Sequence, residues 1–232
     1  MKLAGSTALV TGANRGLGRH LAAELLARGA TVYAGARNPD RVDLPGVTPV
    51  RLDITDPASV AAAAALAGDV NLLINNAGTD FRADLLDGDL DVLRQELETH
   101  YLGTLSMVRA FAPIIAGNGG GTILNVLSVL SWFSSPIHGA YGVAKAAQWS
   151  MTNGVRLRLA DQGVRVAGLH VGYLDTDMAA DITGPKSDPA EIAKIAVDGV
   201  EADAYEIVAD DVSRRVQAGL AGGVAALYPQ LP

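Results

Sequence analysis

The sequence predicts an α/β fold in which parallel strands alternate with covering helices. Three observations carry this reading. Seven short apolar runs recur between longer segments whose apolar residues keep helical spacing. The first run leads straight into a glycine cluster, Gly12-Ala13-Asn14-Arg15-Gly16-Leu17-Gly18, and then into a helical segment. The polar residues Asn75, Asn76 and Ser128 close two later runs, and ligands of open parallel sheets bind outside such carboxyl ends.

Bulk properties narrow the functional classes. A chain of 232 residues, 49% hydrophobic and 19% charged, can bury a large core within one domain spanning residues 1–232. The net charge of −7 argues against nucleic-acid or anionic-membrane partners, which require clustered Lys and Arg. With no cysteine there is no disulfide framework, thiolate catalysis or Cys-ligated metal. No run approaches the roughly 18 apolar residues of a membrane span, so a soluble cytoplasmic protein is expected.

The first strand is expected over Ser6–Thr11, and the first helix over Arg19–Gly29, with Leu21, Ala22, Leu25 and Leu26 on one face. Glycines between them let the backbone approach a diphosphate, and the free N–H groups of the helix start favour an anion. The second strand, Ala30–Ala36, ends at Arg37. An acidic residue there would hold a ribose hydroxyl, whereas arginine suits a 2′-phosphate, so Arg37 with Arg15 points to NADP(H) rather than NAD(H). The third strand, Val47–Leu52, delivers Asp53 and Ile54, and the alanine-rich segment Pro57–Ala67 is a strong helix former with proline in its first turn. The fourth strand, Val70–Ile74, runs into Asn75-Asn76-Ala77-Gly78. One long helix is expected from about Asp91 to Ala116, stopped by Asn118-Gly119-Gly120-Gly121. The fifth strand, Thr122–Leu127, delivers Ser128. A helix from Gly139 to Ala160 carries Tyr141 and Lys145, and Val164–Leu169 is the sixth strand. The connection that follows, a substrate lid over about 172–190, is longer than a compact fold needs as filler. A helix over Pro189–Gly199, a seventh strand over Tyr205–Ala209 and a helix over Asp211–Leu220 complete the pattern, leaving Gly222–Pro232 without a regular element.

Tyr141 and Lys145 are spaced i, i+4 and so share one helix face. A free phenol titrates near pH ~10. An ammonium at roughly 4.5 Å, with an effective dielectric of about 20, is worth about 3–4 kcal/mol and is expected to bring the phenol toward operating pH, where a general acid works best.

Taken in order, Thr11-Gly12 with Gly16-Leu17-Gly18, Asn75-Asn76-Ala77-Gly78, Ser128, and Tyr141 with Lys145 resemble the short-chain dehydrogenases/reductases over nearly the whole chain. The resemblance implies a Rossmann-type doubly wound, seven-stranded parallel sheet with helices on both faces. It implies Tyr141 as general acid in carbonyl reduction and general base in alcohol oxidation, Ser128 as holder of the substrate oxygen, and Lys145 as modulator of the tyrosine and ligand of the nicotinamide ribose. Gly12, Asn14, Arg15, Gly16, Leu17 and Gly18 would face the phosphates, Asp53 and Ile54 the adenine, and Asn76, Ala77 and Gly78 the adenosine side. Gly172, Leu174 and Thr176 would serve the nicotinamide carboxamide. A homodimer or homotetramer using the two long helices is implied as well. Two positions depart from the family pattern. His100, in His100-Tyr101-Leu102-Gly103, stands where the family usually has an asparagine that supports a proton-conducting water chain, and Val171 stands where proline is common. His100 is a tolerated substitution, a relay in its own right, or a change that weakens the relay and lowers redox activity.

The expected activity is NADP(H)-dependent hydride transfer to or from a small, hydrophobic carbonyl or secondary alcohol, with Trp132, Phe133, His138, Tyr173 and Met178 lining an apolar pocket. A non-redox dehydratase or isomerase, and a cofactor-sensing binding protein, are the alternatives on the same fold. Lys145 and the glycine loop speak against a halide-eliminating enzyme among the non-redox alternatives, and Tyr141 speaks against the sensor.

Overall fold

The computed structural model describes Met1–Leu231 and contains seven strands: β1 (Thr7–Thr11), β2 (Thr31–Ala36), β3 (Thr48–Arg51), β4 (Leu72–Asn75), β5 (Gly121–Val126), β6 (Val164–His170) and β7 (Glu206–Val208). They form one sheet in the order β3-β2-β1-β4-β5-β6-β7, and every pairing is parallel. Around it lie α1 (Gly16–Ala27), α2 (Pro57–Leu66), α3 (Leu90–Leu97), α4 (Thr104–Gly117), α5 (Gly139–Leu159), α6 (Pro189–Glu201), α7 (Asp211–Gly219) and α8 (Gly223–Leu227). The fold is the Rossmann-type doubly wound sheet that the sequence implies.

Strand alternation explains why helices are needed on both faces. Along β1, Ala8 and Val10 belong to one buried cluster, with Leu21, Leu25, Ile192 and Val197 of α1 and α6. Leu9 points the other way, to a second cluster with Val60 of α2 and Met107, Phe111 and Ile115 of α4. Near-continuous apolar strands of this kind are stable only when both faces are covered. Strand order reverses beside β1, which pairs with β2 on one side and β4 on the other. The crevice at such a reversal is where α/β sheets take ligands.

The structure corrects three expectations. The helix predicted over Asp91–Ala116 is interrupted by a π-helical segment, Glu98–Gly103, with His100 inside it. Wider turns of this kind are costly and gather at functional sites; the apolar spacing on either side runs on without a visible break, so periodicity did not reveal it. Helix α1 begins inside the glycine cluster at Gly16, three residues before Arg19. The segment after Gly222 forms the short helix α8, and the Tyr228 hydroxyl accepts a hydrogen bond from the Ser134 N–H at 2.7 Å. Pro232 of that segment lies outside the described residues.

Candidate active site

The first end of the site is built from the glycine loop and the residues after β4. Gly12 and Gly16 have φ of +65° and +53°, in the left-handed region that L side chains rarely adopt. A Cβ added at Gly18 would collide with the Gly12 carbonyl, so the loop packs backbone on backbone. Thr11 Oγ1 accepts the N–H groups of Asn76 and Ala77, both at 2.9 Å. In return the Asn76 side-chain amide donates to the carbonyls of Thr11 and Gly12 at 2.9 and 3.3 Å. The asparagine thus braces the glycine loop. Helices α2, α3, α6 and α7 each begin under an aspartate side chain, whereas α1 has no side-chain cap. Its first-turn N–H groups are left for something else to satisfy.

Arg37 is exposed at the end of β2 and makes no ion pair among the described residues. Arg15 instead bonds Asp177 across the cleft at 3.1 Å. Asp53 accepts from the N–H and hydroxyl of Thr55 at 3.0 and 2.7 Å. Burial works to raise its pKa, but these bonds and the Arg37 charge outweigh burial and hold the carboxyl below its usual value.

The second end gathers Ser128, Tyr141 and Lys145. Ser128 sits just past β5, buried, with its hydroxyl accepting the Leu130 N–H at 3.1 Å. Lys145 is buried on α5, and its ammonium donates to the Val126 carbonyl at 2.8 Å and to Gln148 Oε1 at 3.0 Å. It lies 5.6 Å from the centre of the Tyr141 ring. Burial pushes Lys145 down to about 7, with the Glu96 charge opposing the shift. Burial likewise pushes the Tyr141 phenol above its ordinary value, Ser128 works against that, and the charges of Asp80 and Glu96 add to it. The expected lowering of the phenol by its lysine is therefore reversed in the protein alone. The cause is shared desolvation: an ammonium that titrates near neutrality offers only part of a charge to its neighbour.

His100, 1% exposed, packs edge-on against Tyr141 with ring centres 5.1 Å apart. Its Nε2 lies 2.8 Å from the Thr79 carbonyl and 3.3 Å from both Glu96 Oε2 and the Thr79 N–H; the two acceptors, the carbonyl the shortest contact, favour the proton on Nε2 and leave Nδ1 a buried lone pair without a partner among the described residues. Burial and the Lys145 charge lower its pKa. Glu96 is fully buried and also accepts the Phe81 N–H at 2.6 Å and the Thr79 hydroxyl at 3.0 Å. Sequence reasoning missed it, because its neighbours Leu93 and Leu97 carry the apolar pattern while a polar residue takes the inward position.

One cleft of about 1330 Å³ is lined by every candidate catalytic and cofactor-binding residue, from Gly12 to Thr176, including Ser128, Tyr141, Lys145 and His100. Phe133, His138, Tyr173 and Met178 line it too. Trp132 does not: it stacks on His170 at 3.7 Å between ring centres, behind Ser128. The connection after β6 is held down by the Leu174–Ser187 bridge and by an ion pair between Arg82 and Asp181.

The sequence pattern of short chain dehydrogenases matches residues 6–186. The chain belongs to this family. Among relatives, it is 30% identical to mouse "Dehydrogenase/reductase SDR family member 7B" over 76% of this chain and 60% of that one. It is 33% identical to "Short-chain dehydrogenase ptmH" of Penicillium ochrochloron, over 73% of this chain and 66% of the other. The chain thus spans about 60% of the length of the mammalian relatives it matches. A crystal structure of a short chain dehydrogenase from Burkholderia cenocepacia, in complex with NADP, superposes with a TM-score of 0.95 at 40% identity, covering 100% of this chain and 99% of that one.

Proposed function

We propose that this family member is an NADP(H)-dependent oxidoreductase that transfers a hydride between nicotinamide and a carbonyl or secondary alcohol, with Tyr141 as general acid and base. The observation that carries the reading is the presence of Ser128, Tyr141 and Lys145 in the same cleft as a bare glycine loop and an uncapped helix start. These features suit the cofactor. The left-handed glycines put no side chain in the way, the α1 N–H groups await an anion, and Arg37 is a cation without an ion-pair partner among the described residues. Gly12, Asn14, Arg15, Gly16, Leu17 and Gly18 would hold the diphosphate, Arg37 the 2′-phosphate, Asp53 and Ile54 the adenine, and Asn76, Ala77 and Gly78 the adenosine side. Gly172, Leu174 and Thr176 would hold the carboxamide. The NADP in the Burkholderia cenocepacia relative favours this assignment.

When bound, the cofactor supplies or accepts the hydride. Ser128 holds the carbonyl oxygen, and Tyr141 passes its proton to that oxygen, which becomes the alcohol hydroxyl. Lys145, poised near neutrality, binds the ribose and restores the tyrosine. His100, packed edge-on against Tyr141 and with its Nδ1 unpartnered among the described residues, is the relay that returns a proton to this pair after reduction and takes one from it after oxidation. Phe133 and Met178 favour a mainly apolar substrate body, and residues 172–190 act as its lid. The groove lined by Tyr101, Leu105, Met151 and Val155, between the π-helical segment, α4 and α5, suits a homodimer or homotetramer contact.

Loss of NADPH absorbance with a panel of ketones tests the activity; product without consumption points to a non-redox enzyme, and binding without either to a sensor. Arg37→Asp is expected to lower the NADPH-over-NADH preference at least tenfold in kcat/KM, and an unchanged preference removes Arg37 from the 2′-phosphate site. His100→Asn is expected to shift the pH–rate profile of kcat, and a superimposable profile rules out the relay.

A further inference from the structure

Beyond the Ser128–Tyr141–Lys145 group, the cleft holds a second polar chain drawn from three segments. Asp80 follows β4, His138 closes the turn before α5, and Tyr173 opens the connection after β6. Asp80 Oδ2 lies 2.7 Å from His138 Nδ1, and His138 Nε2 lies 2.8 Å from the Tyr173 hydroxyl oxygen. The side chains of His138 and Asp80 are only 2% and 8% exposed, so both are committed to this contact. The His138 ring centre is 6.4 Å from that of Tyr141, within reach of one small substrate.

With the His138 ring neutral, the Asp80 carboxylate sets the direction of each hydrogen bond. An ionised carboxylate only accepts, so the imidazole proton sits on Nδ1, facing Asp80. In the neutral ring Nε2 is then a lone pair, and the Tyr173 hydroxyl donates to it. With its proton committed, Tyr173 presents only lone pairs to the cleft. We propose that Tyr173 is a specificity-determining residue that accepts a hydrogen bond from a hydroxyl or amine on the substrate, away from the reacting carbonyl. His138 and Asp80 are positioning residues that hold Tyr173 in the accepting role. The substrate class is then a carbonyl compound, or its alcohol, that carries a second polar hydrogen. For the carbonyl this rests on the reductase reading; the donor preference itself needs no turnover.

The test is calorimetric binding to the NADP+-loaded protein at about pH 8, where imidazoles are ordinarily neutral. The ligands are cyclohexanone and its hydroxy and methoxy derivatives substituted at the 3 or 4 position. A hydroxy ketone is expected to bind about tenfold more tightly than its methoxy and unsubstituted counterparts, the factor for one hydrogen bond left unmade. Tyr173→Phe is expected to erase that preference with NADP+ affinity unchanged. Asp80→Asn provides the readout that a purely structural role would not move. Asp80 Oδ1 accepts the Arg82 N–H at 3.1 Å, so the introduced amide keeps its oxygen there and turns its NH2 toward His138 Nδ1. The imidazole proton moves to Nε2, the Tyr173 hydroxyl is freed to donate, and the hydroxy-to-methoxy affinity ratio falls toward one. A wild-type ratio near one, no detectable binding of any hydroxy ketone, or a preference that survives Tyr173→Phe overturns the proposal. Failure of every ketone to consume NADPH, with the ratio and its response to Tyr173→Phe intact, refutes the reductase reading while supporting this one.

Discussion

Tyr141→Phe is expected to lower kcat for ketone reduction by about a thousandfold while changing the NADPH dissociation constant by less than about twofold, within the usual range for removing a positioned general acid. The substitution removes one oxygen and keeps the ring. Its edge-on contact with His100 at 5.1 Å and its neighbour His138 at 6.4 Å can both persist, so folding should be little affected. A fall in kcat without a matching change in KM is the mark of an interaction made in the transition state. Steady-state kinetics beside a fluorescence titration of NADPH separates the two. A loss smaller than tenfold would mean that the proton comes from elsewhere.

Lys145→Met is expected to abolish turnover and, in the cofactor-free protein, to flatten the dependence of stability on pH. The folded lysine titrates near 7, against an ordinary value of 10.5. Between these values the unfolded chain binds the additional proton, so stability contributed by this site rises with pH from about 7 to about 10.5. Above that window the amine is neutral in both states and burial carries no charge penalty; below about 7 the full penalty is present. The swing is on the order of 5 kcal/mol. Urea unfolding of wild type and variant at intervals across this range measures it. Since the ammonium also bonds Val126 and Gln148, the variant gives up those contacts, and its advantage over wild type should be confined to the acid side. Parallel curves for the two proteins would show that Lys145 is not the titrating group.

The sheet and most site positions were legible because they follow from local chemistry. Glycines that must adopt positive φ, strand ends marked by Asn75 and Ser128, and the i, i+4 spacing of Tyr141 and Lys145 are written in short stretches. What escaped depends on three-dimensional surroundings. The direction of the Tyr141 shift is one case: spacing supplies the nearby lysine, whereas burial by distant segments, and then the charges of Asp80 and Glu96, push the phenol up. Glu96 is another, since nothing in the α3 sequence tells a buried carboxylate from a solvated one. Trp132 is a third. An aromatic residue four positions after Ser128 could face the cleft or the sheet, and His170, at the end of β6, decides for the sheet. The wider turn at His100 adds no residue type that would announce it.

The division of the sheet into two covered faces carries a dynamic consequence. Amides of β1, β4 and β5 are bonded to neighbours on both sides and shielded above and below, so their hydrogen exchange must await opening of much of the molecule. The glycine loop, Asn76 and Ser128 hang from the carboxyl ends of these slow strands. Residues 173–187, tied down by one bridge and a few polar contacts, belong to the fast end of the same scale. Ligands can thus enter and leave through local opening, while the atoms that must be placed to a fraction of an ångström stay anchored to the last part of the protein to unfold.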